Sequence, residues 1–227
     1  MKFSVMTLFP DMIHAVLDQS IIGRAQKKGS IEIETFNIRD YTTNKQKQVD
    51  DYPYGGGCGM IMQCQPIYDC YQNIIKDLPQ KPYTVFMSPQ GKVLTQSKVR
   101  ELARNEHIVI LCGHYEGVDE RVLEEIIDEE ISIGDYVLTG GEMPACILVD
   151  SVSRMIDGVL SSEAAYEGES HYNGLLEYPQ YSRPEEWRGK RVPDILLSGH
   201  HENIRRWREE MSLKRTMEKR PDLLSKD

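Results

Sequence analysis

The strongest constraint on the fold of this chain is an alternation of strand-like and helix-like segments through its first 160 residues. Short apolar runs bounded by Pro or Gly predict strands, and apolar residues at helical spacing between them predict helices. The predicted strands are Val5–Phe9, Ile31–Phe36, Tyr83–Met87, His107–Cys112 and Ile131–Thr139. Because strands separated by helices pair in parallel, we expect an α/β fold with a largely parallel sheet covered on both faces.

Capping residues and glycines set the expected ends of the helices. Asp11 is the expected cap of a first helix that ends near Gly29, and Asp119 is the expected cap of Glu120–Asp128. Further helices are expected over Pro66–Leu78, from a Thr95 cap through Arg104, and over Pro144–Ile156 before Gly158.

Composition excludes several classes of protein. The 227 residues are 40% apolar and 28% charged, which is ordinary globular usage and excludes wholesale disorder. No apolar run approaches the ~20 residues of a membrane span, and the N-terminus lacks the apolar region and cleavage site of a secretory signal. Five cysteines without a C-x-x-C pair predict reduced thiols rather than disulfides or a zinc site. We therefore expect a soluble cytoplasmic protein without a membrane partner.

The composition and periodicity of the sequence change after Gly158. Residues 161–172 have few aliphatic side chains and no clear period, and three prolines then interrupt the chain before a last helical segment, His201–Lys219. We expect three parts: an α/β domain over residues 1–160, a flexible connection over 161–174 and a small, mainly helical domain over 175–227.

The net charge of −9 argues against an anionic partner, but the charge is unevenly distributed. Residues 1–160 carry 15 basic and 23 acidic side chains, whereas residues 161–227 carry 12 and 13. The basic residues of the last helical segment and its end are Arg205, Arg206, Arg208, Lys214, Arg215, Lys219 and Arg220. Such a run is either a solvated helix face or a phosphate-contacting stripe, and charge alone favours the solvated face.

Glycine-rich turns follow three of the predicted strands, at Ser88–Gly91, Cys112–Gly117 and Ile133–Gly141. In the first turn, Pro89 and Gly91 are expected to end the strand Tyr83–Met87. The carboxyl ends of parallel strands form the crevice where ligands bind, and glycine lets the backbone approach a ligand closely. Three such turns together predict a ligand site, although one alone would be structural. A fourth cluster, Tyr54–Gly59, is either a flexible hairpin or a loop that passes close to a large polar ligand.

The residues that could carry chemistry match no familiar catalytic or metal motif. No G-x-G-x-x-G follows the first strand, and the P-loop, G-x-S-x-G and H-x-x-x-H patterns are missing from the sequence. Side chains that could do acid–base work are Glu116, Asp119, Asp135, Glu142, Asp150, Arg154, Asp157, Glu167 and Glu169. On general grounds each is more commonly a cap, an ion-pair partner or a surface charge. The residues alone therefore predict an α/β protein with a glycine-lined crevice and a partly basic helical appendix, and they predict no metal site.

The same stretches resemble the bacterial tRNA (guanine-N1)-methyltransferase family over nearly the whole chain. The matching motifs, in order, are Phe9-Pro10, Tyr54–Met60, Ser88–Gly91, Cys112–Arg121, Ser132–Gly141, Gly174–Pro179, Tyr181–Pro184, Leu197–His201 and Ile204–Arg208. The resemblance implies a parallel-sheet SPOUT domain with a trefoil knot, acting as a homodimer with its active site at the subunit interface. It also implies methylation of N1 of the guanosine immediately 3′ of the anticodon, in tRNAs where this guanosine follows another guanosine.

The resemblance implies S-adenosyl-L-methionine as the methyl donor and assigns the three glycine turns to its pocket. The donor-binding residues it implies are Ser88, Pro89, Gly91, Gly113, Glu116, Ile133, Gly134, Asp135, Tyr136, Val137, Leu138, Gly140 and Gly141. Some members of the family need Mg²⁺, which is therefore a candidate cofactor, although the sequence shows no ligand set for it.

Guanine N1 becomes a good nucleophile only as its proton leaves, so the reaction needs a general base within about 2.6–3.2 Å of that proton. In the family, the proposed base is an Asp in the interdomain linker, assisted by an Arg that matches Arg154. Glu169 stands at the Asp position here and is the expected base, with Glu167 as the fallback. His114 is a second departure, since the family commonly has Arg there; it weakens an RNA contact or places a titratable donor beside Glu116.

With a tRNA partner implied, the basic run of the last helix becomes the favoured phosphate-contacting surface. The residues expected to contact tRNA are Tyr54, Gly55, Gly56, Gly57, Arg183, Arg205, Arg206, Arg208 and Arg215. Two alternatives stay open: an RNA-binding SPOUT relative with a different target or a lost activity, and an RNA-binding module whose crevice is only structural. The intact donor turns and the carboxylate of Glu169 favour the methyltransferase.

Overall fold

The computed structural model of the chain describes residues 1–162, 166 and 168–225. The chain divides into two compact units, Met1–Leu160 and Ser161–Asp227. The first unit is an α/β domain built on a parallel sheet, as the alternation of strand-like and helix-like segments predicts.

A parallel sheet lies at the centre of the first unit. The strands are β1 (Lys2–Thr7), β2 (Glu32–Asn37), β3 (Asp50–Asp51), β4 (Ile61–Met62), β5 (Tyr83–Val93), β6 (His107–Cys112) and β7 (Glu129–Ser132). Five of them form the sheet in the order β2-β1-β6-β5-β7, and β3 and β4 form a separate antiparallel hairpin. Since β5 lies between β6 and β7, the strands that precede the three glycine turns are neighbours.

Helices cover both faces of this sheet because its side chains alternate between two apolar cores. Phe3 and Val5 of β1 pack into one core, whereas Met6 packs into the other. The helices are α1 (Pro10–Leu17), α2 (Ser20–Lys27), α3 (Cys64–Ile75), α4 (Gln96–Leu102), α5 (Glu120–Ile126) and α6 (Glu142–Ser153), with a 3₁₀ turn over Ile38–Tyr41. The first core receives α1, α2, α4 and α6, and the second receives α3 and α5. The expected two-sided coverage is confirmed.

Two of the predicted helix caps are confirmed. Thr95 Oγ1 accepts a hydrogen bond from the backbone N–H of Lys98 (3.3 Å) at the start of α4. Asp119 Oδ1 accepts one from the backbone N–H of Arg121 (3.1 Å) at the start of α5. Each bond satisfies a donor that the helix itself leaves unpaired.

The prediction for the first helix is wrong in its cap and in its length. Asp11 lies inside the first turn behind Pro10, and Phe9 takes the cap position without a side-chain hydrogen bond. The segment then breaks between α1 and α2, where Ser20 has a φ of 51°. A residue other than glycine rarely adopts this left-handed conformation, so the chain turns here rather than continuing one helix.

β5 is longer than predicted because it passes through its glycine turn. Met87 and Lys92 both pair with Ile131 of β7, so the four residues between them bulge out of the ladder. A bulge makes no regular ladder hydrogen bonds, so the missing N–H of Pro89 costs nothing there. The expectation that Pro89 and Gly91 close the strand is therefore wrong, and the turn is a bulge inside it.

β7 is shorter than predicted, since it ends at Ser132 rather than at Thr139. Ser132 Oγ donates to the carbonyl oxygen of Gly134 (2.9 Å) and accepts from its N–H (3.1 Å). A side chain that bonds its own neighbouring backbone competes with a strand ladder and favours a turn. The residues that follow form a loop instead of a strand.

The second unit has a small hairpin and two helices among its described residues. They are β8 (Glu186–Trp187), β9 (Lys190–Arg191), α7 (Asp194–Leu197) and α8 (His201–Lys219), followed by a 3₁₀ turn over Pro221–Leu223. The bounds of α8 agree with the predicted last helix. Leu176 lies along it, because its N–H donates to the fully buried Thr216 Oγ1 (2.9 Å) and its carbonyl accepts from Ser212 Oγ. Polar contacts therefore hold this segment on α8.

Candidate functional site

The bulge within β5 and the turns after β6 and β7 meet in one crevice near the carboxyl end of the sheet. Eleven of the thirteen residues predicted to bind a methyl donor line it: Ser88, Pro89, Gly113, Glu116, Ile133, Gly134, Tyr136, Val137, Leu138, Gly140 and Gly141. The apolar floor comes from Phe86, Met87 and Ile131, which are buried residues of the two cores. The three turns that the sequence predicts to share a ligand thus line the same cavity.

Two predicted donor-binding residues, Gly91 and Asp135, are not among the residues that line the crevice. Gly91 instead packs on β7, where a Cβ would stand 2.4 Å from the carbonyl carbon of Glu130. This position needs glycine because two backbones pass each other closely. The structural reason for glycine at position 91 is therefore this close approach of two strands, which the sequence motif did not reveal.

Glycines also let the turns after β6 and β7 touch each other. Gly141 N–H donates to the carbonyl oxygen of Gly113 (2.8 Å), and a Cβ on Gly141 would stand 2.7 Å from Cys112 Cα. A Cβ on Gly113 would stand 2.9 Å from the ring of Phe86. The contact between the two turns sets the width of the crevice, and a larger residue at Gly141 would force the turns apart.

The loop after β7 exposes its apolar side chains along the crevice. Tyr136 is 56% exposed and Val137 is 81% exposed. Tyr136 N–H donates to the carbonyl oxygen of Gly134 (2.9 Å), which closes a tight turn, and the ring of Tyr136 lies where a side chain on Gly134 would stand. Glycine at this position, with a φ of 147°, is therefore required both by the backbone and by the ring.

His114 forms part of the crevice wall. Its ring lies 5.1 Å from that of Phe9 and 5.0 Å from that of Tyr115, between centroids. Its Nδ1 is buried and has no hydrogen-bond partner among the described residues, and it lies 2.8 Å from where a Cβ on Gly140 would stand. Buried ring nitrogens normally form a hydrogen bond, so Nδ1 of His114 is available to form one at the crevice wall.

A buried carboxylate, Glu142, lies behind the crevice at the start of α6. It is 2% exposed, and its Oε1 accepts a hydrogen bond of 2.7 Å from Thr7 Oγ1. Thr7 Oγ1 in turn accepts from the backbone N–H of Phe9 (2.9 Å). Burial and, to a lesser extent, the charge of Glu142 raise the pKa of Cys146 to about 11, so this thiol stays protonated. Sequence reasoning missed Thr7, because no pattern connects two residues so far apart in the chain.

The predicted tRNA-contacting loop adjoins the crevice through Glu116. Residues 54–59 lie between β3 and β4, and a Cβ on Gly59 would stand 2.4 Å from Glu116 Cγ. Glu116 N–H donates to the carbonyl oxygen of Met60 (3.0 Å), which ties this hairpin to the turn after β6. Tyr54 at the hairpin tip is 98% exposed. The other predicted contacts here, Gly55, Gly56 and Gly57, have positive φ angles of 86°, 81° and 135°.

Arg154 does not line the crevice, although its helix begins there. The sequence allows Arg154 to point into the crevice from the helix after the glycine turn. The structure places it at the carboxyl end of α6, which begins at Glu142 beside the crevice, and a helix of this length spans roughly 18 Å. Arg154 therefore lies at the opposite end of α6 from the donor turns of its own chain.

Glu169 lines a different cavity, which lies within the second unit. Its N–H donates to the carbonyl oxygen of Tyr166 (3.1 Å), so it sits in a local turn. Two of the arginines predicted to contact tRNA, Arg205 and Arg208, line the same cavity. The structure therefore brings the expected base and two expected RNA contacts together. Glu167, the alternative base, lies outside the described residues.

The arginines of α8 that are predicted to bind tRNA all have partners within the chain. Arg205 forms ion pairs with Glu202 (2.8 Å) and Glu209 (2.9 Å), and Arg206 also pairs with Glu202 (3.3 Å). Arg208 lies 4.8 Å from the ring centroid of Tyr178. The fourth, Arg215, donates to the carbonyl oxygen of Glu177 (3.1 Å). The ion pairs of Arg205 and Arg206 are exposed, so each contributes little to stability and is readily exchanged for a phosphate.

The described residues contain no group of three or more His, Cys, Asp or Glu side chains that could hold a metal ion. The same part of the chain contains no helix that is both long and apolar enough to cross a membrane. The five cysteines are free thiols, and Cys58 in the glycine-rich hairpin is exposed.

An open parallel sheet with a crevice at the carboxyl ends of neighbouring strands defines an α/β protein of the class that binds a small ligand at that edge. The family model described as tRNA (Guanine-1)-methyltransferase TrmD matches residues 1–226. The chain belongs to this family.

Similar proteins support this membership over their full length. A protein of Ruminiclostridium cellulolyticum is 61% identical over 226 residues, which covers 100% of this chain and 97% of the relative. A protein of Clostridium botulinum is 56% identical, with 100% and 92% covered, and one of Clostridioides difficile is 52% identical, with 100% and 98% covered. Each of the three is named tRNA (guanine-N(1)-)-methyltransferase.

Proposed function

We propose that this chain transfers the methyl group of S-adenosyl-L-methionine to N1 of the guanosine immediately 3′ of the anticodon, in tRNAs where this guanosine follows another guanosine. The observation that carries the proposal is the crevice in which the three glycine turns meet, in a chain that belongs to the tRNA (Guanine-1)-methyltransferase family over residues 1–226.

The residues of the crevice fit an adenosyl donor. Ile133, Leu138 and Pro144 offer apolar surface for the adenine, and the glycine turns offer backbone groups that a polar ligand can approach closely. Nδ1 of His114 is buried at the wall and, within the described part of the chain, still without a partner. When bound, S-adenosyl-L-methionine supplies an electrophilic methyl group.

Glu169 is the residue we assign to proton removal from guanine N1. A carboxylate within hydrogen-bond reach takes the proton as the lone pair of N1 attacks, which contributes roughly 10²–10⁴-fold to the rate. The cavity that Glu169 lines also contains Arg205 and Arg208, whose positive charges suit an RNA substrate at this place.

Arg154 is the residue we assign to stabilising negative charge on the reacting base, especially on guanine O6. Since Arg154 lies at the far end of α6 from the donor turns of its own chain, the catalytic group and the donor crevice of one reaction fit best on two copies of the chain. We therefore infer a homodimer with its active site at the subunit interface. We also propose that Mg²⁺, if the reaction needs it, binds with the substrate.

The family membership also leads us to propose the finer architecture. The first unit would carry a trefoil knot of the SPOUT type, which is rare among protein folds. Residues 161–174 would form a connection that orders when tRNA binds, and 175–227 a tRNA-binding domain. The enzyme would work in the cytoplasm, where its substrate is found.

The experiment that tests the proposal is methyl transfer from labelled S-adenosyl-L-methionine to an unmodified tRNA transcript with GG at the target site, followed by identification of the methylated nucleoside. We expect N1-methylguanosine from the wild-type chain. Glu169→Gln should lower kcat by about 10²–10⁴-fold, because the amide cannot take up the proton, and it should leave donor binding intact.

Glu169→Asp and Glu210→Gln are the matched variants. Glu169→Asp keeps the carboxylate and should retain more activity than the amide, whereas Glu210→Gln changes an exposed carboxylate of the same unit and should behave as wild type. Full activity of Glu169→Gln would move the base elsewhere, to Glu167 first. Donor binding without methyl transfer by the wild-type chain would favour a different RNA target or a lost activity.

A further inference from the structure

The hairpin formed by β8 and β9 holds an exposed tryptophan beneath an arginine. Its two-residue turn consists of Arg188 and Gly189, with φ angles of 52° and 74°. Positive φ at both central positions is the type I′ geometry that suits the twist of a two-stranded hairpin. The guanidinium of Arg188 lies 5.0 Å from the ring centroid of Trp187, which is itself 59% exposed.

The left-handed conformation of Arg188 has a cost. A residue with a Cβ is less stable in this conformation than in the right-handed one. Gly at this position would remove the strain but also the cation over the indole. The turn therefore keeps a flat aromatic surface and a positive charge together at the tip of the hairpin.

A cavity lies beside this hairpin, within the second unit. Its walls include Trp187 and a second exposed aromatic side chain, Tyr181, which is 49% exposed. Arg183 and Lys190 also line it. Large aromatic side chains exposed on the wall of a concave surface are typical of a binding site, because their rings gain contact area only when a ligand covers them.

Among the described residues, the charge around this cavity is positive, and most of it is in no ion pair. Residues 183–191 contain four basic and two acidic side chains, in a chain whose net charge is −9. Arg191 pairs with Glu185 at 2.6 Å. Arg183, Arg188 and Lys190 form no ion pair with a carboxylate in the described part of the chain. The arginines at the start of α8, by contrast, are paired with glutamates.

We propose that this cavity binds one unpaired nucleotide of the tRNA, at a position other than the methylated guanosine, with its base stacked on Trp187 and its phosphate held by Lys190. The inference rests on the proposed function for its ligand, and it adds a second contact between the second unit and the substrate. Aromatic stacking accepts any base, so the site strengthens tRNA binding without reading sequence.

The charge distribution favours RNA over a protein partner. An acidic chain repels RNA over most of its surface. A polyanion therefore binds most favourably where the surface carries a local excess of unpaired cations. Arg188 over the indole leaves one face of the ring for a base, as the cation occupies the other. Every nucleotide carries a planar base beside a phosphate, which matches an aromatic plane with a neighbouring lysine.

Tryptophan fluorescence of the full-length chain tests the proposal directly, because the chain has two tryptophans, Trp187 and Trp207. In Trp207→Phe the emission comes from Trp187, and we expect addition of unmodified tRNA transcript to quench it saturably. In Trp187→Phe the emission comes from Trp207, which lies between Arg206 and Arg208 and therefore reports tRNA binding at α8. An unchanged emission of Trp187 at tRNA concentrations that saturate binding would overturn the proposal.

Filter binding of tRNA to the same proteins separates this inference from the proposed function. Trp187→Ala should bind tRNA about 5- to 100-fold more weakly with an unchanged salt dependence, and Trp187→Phe should retain most of the affinity. Lys190→Gln should lower the slope of log affinity against log salt by about one, whereas Lys76→Gln, an exposed lysine of the first unit, should not. Normal tRNA binding by Trp187→Ala would refute the cavity alone, while failure of the wild-type chain to bind tRNA would refute the proposed function as well.

Discussion

The crevice of the first unit and the surface of the second unit are built in different ways. The crevice rests on Met87 and Ile131, which are at most 5% exposed, and its width is set by backbones in contact at Gly113 and Gly141. Between residues 161 and 225, no apolar side chain that the structure describes is buried, and the fully buried side chain is Thr216. Close packing fixes the shape of the crevice, whereas the second unit combines partly buried apolar side chains with hydrogen bonds and exposed ion pairs.

This difference indicates which kind of ligand suits each region. A close-packed wall cannot adjust without cost, so it selects a small ligand of fixed shape. Exposed ion pairs, such as Arg205 with Glu202, contribute little and exchange partners easily, so they suit a charged polymer. Substitutions in the crevice should therefore affect donor binding strongly, and single substitutions in the second unit should act more gently and depend on salt.

The largest effect is expected from Gly141→Ala. Its Cβ would stand 2.7 Å from Cys112 Cα and 2.9 Å from Gly113 N, both backbone atoms that cannot move aside. The two turns must separate, and overpacking of this kind costs roughly 1–3 kcal/mol, which corresponds to about a 10- to 100-fold loss of donor affinity. Calorimetric titration with S-adenosyl-L-methionine measures the loss. Its tRNA affinity, measured separately, should change far less.

Gly29→Ala is the control for this variant. Unlike Gly141, whose φ is −82°, Gly29 has a positive φ of 74°, and a Cβ there meets open space. This variant should lose roughly 1 kcal/mol of stability to backbone strain and should bind the donor as wild type does. Normal donor binding by Gly141→Ala would show that the crevice adjusts as easily as the second unit, and the comparison would fail.

The sequence predicted the first unit better than it predicted contacts between distant residues. Periodicity located the strands and most helices of the sheet, because each element presents an apolar face at regular spacing. Periodicity could not reveal the bulge at Pro89 or the packing of Gly91 on Glu130, because both depend on the pairing of β5 with β7. The assignment of a donor pocket came from family resemblance and not from periodicity.

Candidate residues of the second unit were harder to place from sequence. The bounds of α8 follow from its spacing, but the glutamates that hold Arg205 and Arg206 do not show in a count of basic residues. The hairpin around Trp187 is too short to produce a strand pattern, since each of its strands has two residues. Exposed aromatic residues on such short elements become visible only in three dimensions.

The next largest effect is expected from Thr7→Val, which preserves shape and removes a hydroxyl group. Glu142 loses its hydrogen bond of 2.7 Å and remains buried, and the N–H of Phe9 loses its acceptor. Leaving buried polar partners unsatisfied should cost about 2–3 kcal/mol of the free energy of unfolding. Urea denaturation measures this cost. Thr7→Ser keeps the hydroxyl and should lose clearly less; an equal loss in both variants would assign the effect to packing instead.

A smaller effect, of opposite sign, is expected from Glu202→Gln on α8. Removing this carboxylate releases Arg206, which can then contact phosphate without first breaking an ion pair, and leaves Arg205 paired with Glu209 alone. The tRNA affinity should rise a few-fold, because exposed pairs contribute about 0–1 kcal/mol each. Filter binding between about 50 and 200 mM salt measures the affinity and its salt dependence.

Replacing the α8 arginines themselves completes this test. The combined change of Arg205, Arg206, Arg208 and Arg215 to Gln should raise KM for tRNA and flatten its salt dependence, with a slope change of about 0.7–0.9 for each phosphate that the protein no longer neutralises. An unchanged slope would remove α8 from the RNA interface and leave the hairpin around Trp187 as the contact of the second unit.

A comparably small effect is expected from Asp119→Ala in the first unit. Asp119 caps α5 and pairs with the exposed Arg121 at 2.7 Å, so its loss should cost about 1 kcal/mol, chiefly through the cap. The hydrogen bond from Arg121, helped by the thiol of Cys64, holds the pKa of Asp119 well below its usual range. A carboxyl group whose pKa is lowered on folding stabilises the fold above its unfolded pKa of about 3.9, and that stabilisation is lost as the pH falls towards the folded value.

The stability difference between wild type and Asp119→Ala should therefore be constant from neutral pH down to about pH 5 and shrink below about pH 4. Asp119→Asn keeps a capping oxygen without a charge, so it should lose less stability at neutral pH and separate the cap from the ion pair. Asp222, whose pKa is likewise lowered by its pair with Arg220, is the counterpart in the second unit, but both partners are about half exposed. If Asp222→Ala destabilises the chain as much as Asp119→Ala does, polar contacts in the second unit are as firmly held as those of the first, and the contrast between the two regions is lost.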